Sequence, residues 1–314
     1  MTSVNPESST LYVQSLATGV SVLKAFNTER PSMSLPEIAA AVGISKSAAQ
    51  RFAFTLEALG MLKKDPYSKR YSLSSYNLDA GYQYLQSHPV LERANPYLLD
   101  LNQRAGETVN LAEPAGDSMV YIGRFPSLVR LIMHMPIGQR IPMFCASTGR
   151  AYLSGLSDDA ARTILERSDR VRYTPQTETD VDTLLALVQQ AREDGFAYCN
   201  EEFYRGDLAL AVPVRDTAGN VIAGLNLSVS STAWTVKRDR QVRAADAGDG
   251  APDLHHAAQP GSAAAVSHPS CGCRGARGLM WGRSASFAAE RPCEPRFALR
   301  GVQAVGVDRK LTHF

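Results

Sequence analysis

The 314-residue chain contains no run of eighteen apolar residues, so no membrane-spanning helix is expected. It also lacks charge of one sign. A formal net charge of +2 gives no global field for a polyanion, so any nucleic-acid signal must be local. The opening residues, MTSVNPESST, show no basic patch followed by an apolar stretch, which predicts a cytoplasmic rather than a secreted protein. A disulfide framework is missing too. Cys145, Cys199, Cys271, Cys273 and Cys293 form an odd set without regular spacing, as suits a reducing compartment. There is no internal repeat, phosphate loop, zinc-ligand spacing or Ser-His-Asp order with a nucleophile elbow, and only His88 and His134 precede residue 255. No metal, no cofactor and no catalytic site are therefore expected.

The most informative stretch runs from Ser34 to Leu73. Ser34 and Glu37 have the spacing of a capping box, Pro36 falls in the first turn, and Leu35, Ile38, Ala39 and Val42 make a two-turn apolar stripe. Gly43 supplies a sharp turn. Ser45 can cap a second helix reaching about Leu59, in which Ala48, Phe52, Leu56 and Leu59 are expected to point inward. Lys46, Ser47, Gln50 and Arg51 crowd the opposite face near its N-terminal end. A helix fits the major groove, its first turns meet base edges, and Gln and Arg pair bidentately with adenine and guanine.

A hairpin follows, with one strand over residues 61–64, the other over 69–73, and Asp65-Pro66 opening a type I turn. Lys63, Lys64, Lys69 and Arg70 cluster at its tip. Six basic residues against two acidic ones between Ser45 and Tyr71 give a phosphate footprint spanning helix and wing.

By Leu73 the chain resembles the winged helix-turn-helix of IclR-type bacterial transcriptional regulators, carried by ISKSAAQRFAFTLEALGML. The likeness continues through HPVLERANPYLLDLNQRAGETVNLAE, IPMFCASTGRAYLSGL and NEEFYRGDLALAVPVRDTAGNVIAGLNLSVS, covering about Leu11 to Trp234. It implies a regulator, repressor or activator, that binds a double-stranded DNA operator as a homodimer or dimer of dimers and senses a small carboxylate effector.

The expected organisation is α+β. A loose N-terminus (1–10) precedes the winged helix-turn-helix DNA-binding domain (11–75), whose first helix carries Leu16, Val20, Leu23 and Phe26. Linker helices follow (76–106). One carries Leu78, Tyr82 and Leu85 and is broken at His88-Pro89. The next carries Leu91, Ala94, Leu98, Leu101 and Ala105, a near-heptad seam that fits packing within the chain or on a second copy. An effector-binding domain (107–234) reads as strands over 108–113, 119–125 and 128–135, helices over 149–155, 158–167 and 181–193, and strands over 196–201, 208–215 and 221–230. Turns are expected at 114–117 and 216–219. The resemblance implies a GAF-like curved antiparallel sheet with helices on one side.

Residues 145–151, CASTGRA, form a small-residue loop entering a helix, where free amides attract an anion. Asn226 and Ser228 share one face of a strand and need partners, which a ligand can supply. The resemblance maps an effector pocket onto Arg130, Met133, Ser147, Thr148, Cys199, Ala209, Asn226 and Ser228. Ala209 and Asn226 differ from the residues of regulators that bind very small oxo-acids, which implies a larger acid, aromatic or dicarboxylic. The rival is a small-molecule enzyme with an accessory winged helix. Of its candidate groups, adjacent Glu201 and Glu202 face opposite sides of a strand, and Cys145 and Cys199 sit in apolar surroundings.

After Trp234 the composition shifts to Ala, Gly, Arg, Pro and His without periodicity, and the resemblance stops. The tail (235–314) reads like translation in another frame and is expected to be disordered. It raises the alternative of an inactive, frameshifted regulator. His255, His256, His268, Cys271 and Cys273 lie there without a zinc-finger spacing.

Overall fold

The computed structural model describes residues 6–127 and 135–231. All but the last residue of the strand expected over 128–135, together with Arg130, Met133, His134 and the tail from 235, lie outside the described residues. The chain divides into two compact units between Glu92 and Arg93. That boundary falls inside a helix, earlier than the expected start of the second domain at residue 107.

The first unit holds helices α1 (Gln14–Lys24), α2 (Leu35–Val42) and α3 (Lys46–Ala58) and a hairpin of β1 (Leu62–Lys64) and β2 (Tyr71–Leu73). Gly43 adopts φ +73°, a conformation costly for other residues, and turns the chain from α2 to α3. Ser45 caps α3, its hydroxyl accepting from the Ala48 amide at 3.1 Å. Val22, Phe26, Met33, Ile38, Ala49, Ala53, Leu56, Leu62 and Tyr71 form one core. Full burial of a side chain such as Ile38 contributes about 1.5–3 kcal/mol.

The buried face of α3 differs from the expected one. Ala49 and Ala53 are fully buried, Ala48 only partly, and Leu59 is 64% exposed. Alanine lets neighbouring helices approach α3 closely, and a pattern that counts only large side chains misses that face. The face of α1 is also shifted. Val22 and Phe26 are buried, whereas Leu16 and Val20 are 67% and 41% exposed. Met33 bridges Tyr71, donating its amide at 2.8 Å and accepting at 2.7 Å, which gives the hairpin a third backbone partner.

Helix α4 (Leu78–Gln86) ends before His88-Pro89, and α5 (Pro89–Ala105) ends at Gly106, φ +68°. No residue of α4 is buried. Ala94, Leu98 and Leu101 of α5 are buried within the chain itself, so the seam packs internally.

The second unit is built on a six-stranded sheet ordered β5-β4-β3-β8-β7-β6, every neighbouring pair antiparallel. The strands are β3 (Thr108–Ala115), β4 (Ser118–Phe125), β5 (Arg140–Pro142), β6 (Ala197–Asn200), β7 (Asp207–Arg215) and β8 (Val221–Ser230). The short edge strand β5 was not foreseen. The first hairpin is tighter than the expected four residues, because Ala115 pairs with Ser118 around Gly116 and Asp117. The register shifts at Leu111/Ala112 and at Val214/Arg215, and each shift is a bulge that curves its strand pair.

Helices α6 (Ser147–Ser154), α7 (Asp158–Arg167) and α8 (Val181–Asp194) complete the unit. Ser157 and Asp180 cap the last two, and Gly195 ends α8 at φ +77°. Helix α6 touches strands β3, β4, β6, β7 and β8. It begins at Ser147, two residues before the expected Gly149. Two glycines permit this seating. A Cβ on Gly149 would stand 2.4 Å from the Met143 Cα, and one on Gly224 would stand 2.6 Å from the Thr148 carbonyl oxygen. Glu201 and Glu202 are not on a strand. β6 stops at Asn200, and Glu201 lies beyond it at φ +54°.

Candidate nucleic-acid interface and ligand cavity

Lys46, Ser47, Gln50 and Arg51 are all exposed on α3. Ser45 is exposed as well, but its oxygen is engaged by the cap and by Ser47 Oγ at 3.0 Å. Phe54, 70% exposed, stands one helical turn beyond Gln50 on the same face and was overlooked. On the hairpin, the Asp65 carboxylate accepts from the Tyr67 and Ser68 amides, and Lys69 closes the turn at φ +59°. This places Tyr67, 93% exposed, at the tip. Lys63, Lys64 and Lys69 are exposed, with the Lys64 ammonium 5.4 Å from the Tyr71 ring centroid.

Arg70 departs from the expectation. Its guanidinium turns back onto the protein, donating to Ser32 Oγ (3.1 Å), the Ser32 carbonyl (2.8 Å) and Glu37 (3.0 Å). Glu37 also accepts from the Ser34 amide and hydroxyl, both at 2.7 Å. Hydrogen bonds from the Ser34 side chain and backbone, then from Arg70, hold the Glu37 carboxyl down at about 2. Arg70 therefore straps the wing to α2 rather than projecting at its tip.

In the second unit a cavity opens at the N-terminus of α6. Four of the expected residues, Ser147, Cys199, Ala209 and Asn226, line it. Its enclosed space is about 20 Å³, room for about one water molecule. Thr148 is fully buried and does not line it, and among the described residues its hydroxyl finds no hydrogen-bond partner. Ser228 donates its hydroxyl to Asp207. The partners of Asn226 are protein groups. Its oxygen accepts from Asn110 at 2.8 Å, and its amide donates to Ser147 Oγ at 3.4 Å. Protein groups thus supply the partners that the sequence left open to a ligand for Asn226 and Ser228.

Tyr121 and Asp207 also line the cavity and were missed as lining. Burial raises the pKa of the Tyr121 phenol, and the Asp207 charge adds to the rise. Burial raises Asp207 itself, opposed by the Ser228 hydrogen bond and by Arg124. Asn110 sits directly opposite Asn226 across β3 and β8. Such a pair of amides in two otherwise apolar strands was the legible signal. At the cavity wall, Glu202 forms a buried bidentate pair with Arg150 at 3.0 and 2.8 Å. Cys145 and Cys199 are buried thiols whose pKa values are pushed up chiefly by desolvation, the opposite of an activated nucleophile. Among the described residues no cluster could hold a metal, and no helix is long and apolar enough to cross a membrane.

Comparison with known proteins agrees with both halves. Residues 15–66 match the family described as the IclR helix-turn-helix domain, and residues 82–251 match the bacterial transcriptional regulator IclR C-terminal family. The Pca regulon regulatory protein of Pseudomonas putida is 34% identical over 218 residues, 69% of this chain and 74% of its own. An IclR transcriptional regulator from Alicyclobacillus acidocaldarius superposes with TM-score 0.63 at 29% identity, covering 70% of this chain and 89% of that one. An IclR homologue from Microbacterium hydrocarbonoxydans, complexed with 4-hydroxybenzoate, shares the fold. Its TM-score is 0.57 at 22% identity, over 69% of this chain and 89% of that one. With a winged helix-turn-helix ahead of a curled antiparallel sheet, and with both family matches in register, the chain belongs to the IclR family of bacterial transcriptional regulators.

Proposed function

We propose that this regulator binds a specific operator as a homodimer and that a small organic acid, seated in the cavity at the start of α6, changes its operator affinity. The observation that carries the reading is the polar face of α3, where Ser47, Gln50 and Arg51 are exposed over a buried Ala49–Ala53–Leu56 face. Gln50 and Arg51 read base edges in the major groove. Lys46, Lys63, Lys64 and Lys69 hold phosphates, and Arg70 keeps the wing in place for them.

Support for a dimer comes from apolar surface exposed among the described residues. Val13 at the N-cap of α1 and Leu16 and Val20 along it are exposed, as are Leu78 and Tyr82 on α4. A second copy of the chain is the occupant this reading assigns to them. Support for an acid comes from the hydroxyl of Ser147 and the amides opening α6 at the cavity wall. The 4-hydroxybenzoate held by a relative of the same fold puts aromatic acids among the compounds to test.

The test is operator selection from random duplexes, followed by fluorescence anisotropy with and without a panel of organic acids. Selection of a two-fold symmetric site whose affinity one acid shifts supports the reading. Binding without sequence preference, or an operator affinity indifferent to every acid, refutes it.

A further inference from the structure

Helix α3 carries one large apolar side chain that the core does not take. Phe54 is 70% exposed, whereas Ala49 and Ala53 are fully buried and Leu56 nearly so. At about 100° of turn per residue, Phe54 points between Gln50 and Arg51, about 20° from the direction of Ser47. It stands at the middle of the exposed arc, with the buried face turned away from it. The side chains one turn before and after it are Gln50, Arg51, Glu57 and Ala58. Polar and small groups thus surround the ring on α3, and it does not extend an apolar docking patch along the helix. From Lys46 to Phe54 the helix has two cations and no acidic residue.

The chemistry of the major groove limits what such a ring can meet. A phenyl group cannot pair with the nitrogen, oxygen and amino edges of the bases, and the one apolar group presented there is the C5-methyl of thymine. Four residues of helix advance about 6 Å, a little less than two base-pair steps.

We propose that Phe54 is a base-reading residue whose ring packs on the methyl group of a thymine about one to two base pairs along the groove from the base met by Gln50. This rests on the reading of α3 as the helix that enters the major groove, and it adds an apolar contact to the polar ones. Gln50 and Arg51 select by hydrogen bonding, and Phe54 selects by taking a methyl group out of water. It therefore separates thymine from cytosine but accepts 5-methylcytosine, which carries its methyl on the same ring carbon. Operator affinity becomes sensitive to cytosine methylation at that one position.

The test uses the full chain, the operator selected from random duplexes, and fluorescence anisotropy. Each thymine of one half-site is replaced in turn by deoxyuridine, which removes only the methyl. At one position the wild type should bind about three- to fivefold more weakly, the effect of one buried methyl group. Cytosine paired with guanine at that position should weaken binding at least as much, and 5-methylcytosine should recover about the same factor. Phe54→Ala should bind the thymine and deoxyuridine operators within about 1.5-fold of each other. Its melting temperature should hold, because the ring is exposed and alanine favours a helix. Phe54→Gln, a polar replacement for an exposed position, carries the same expectation if the alanine variant does not fold. A half-site without thymine, or a wild-type affinity indifferent to deoxyuridine at each one, overturns the proposal while sequence-specific binding stands. So does a folded variant that keeps the full deoxyuridine effect, or one that loses affinity for every duplex by the same factor. Failure to select any preferred duplex removes the major-groove reading of α3 and the proposal with it.

Discussion

Removing the Glu202 side chain should be among the most damaging single changes to the second unit. Glu202 meets Arg150 through two parallel hydrogen bonds at 3.0 and 2.8 Å, and Arg150 Nη1 also donates to the Tyr198 carbonyl at 2.6 Å. The two side chains are only 10% and 4% exposed, so solvent screens the pair little. Glu202→Ala leaves a buried guanidinium without its counter-charge, a loss of about 3–5 kcal/mol. Domains of this kind are stable by about 5–15 kcal/mol, so the loss is a large fraction of the whole. With a urea slope of about 2 kcal/mol per molar, the midpoint of the second unit's transition should fall by about 1.5–2.5 M. Far-UV circular dichroism in urea follows it. Replacing both partners by apolar residues, Arg150→Met with Glu202→Leu, removes both charges and should restore most of the stability, because the desolvation penalty goes with the pair. A Glu202→Ala shift below about 0.5 M, or a double variant as unstable as the single, would refute the idea that the pair is sealed from solvent.

Three further expectations can be checked directly. Arg51→Ala should relax base preference at one operator position by about 1–3 kcal/mol, whereas Lys69→Ala should weaken all duplexes alike and lower the salt slope by about one; anisotropy against salt and single-base operator variants separates the two. The Glu37 carboxyl is held at about 2 against an ordinary 4.5, so its depressed value adds stability that is complete above about pH 4.5 and is lost as pH falls toward 2. A carboxyl NMR titration should place it near 2, and a midpoint near 4.5 would show that the Ser34–Glu37–Arg70 strap does not form in solution. Leu16→Glu, which adds charge to an exposed apolar stripe of α1, should shift sedimentation toward monomer and weaken operator binding without changing the melting temperature of the first unit; an unchanged dimer would place the subunit contact elsewhere.

The caps, turns and amphipathic helices were legible because they depend on neighbours in sequence. Ser45, Gly43, Gly195 and the boundaries of α7 lie where spacing and turn chemistry put them. What failed was long-range. Whether Ala49 or Ala48 faces inward depends on how closely other elements approach α3, and no local pattern records that distance. Arg70 read as a phosphate contact because its partners, Ser32 and Glu37, lie 38 and 33 residues away. The cavity was half visible for the same reason. Ser147 and Asn226 stand out as polar residues in small or apolar stretches, but Tyr121 and Asp207 join them only when β4, β7 and β8 are assembled. Arg150 and Glu202, 52 residues apart, look like ordinary surface charges until the fold encloses them.

The glycine contacts of α6 bear on how this fold can diversify. With Gly149 pressed against Met143 and Gly224 against the backbone of Thr148, the helix start has no room for a side chain at either position. A side chain at either glycine would push the helix start off its seat, so change around this cavity falls to wall positions such as Tyr121, Cys199 or Ala209 while the two glycines stay fixed.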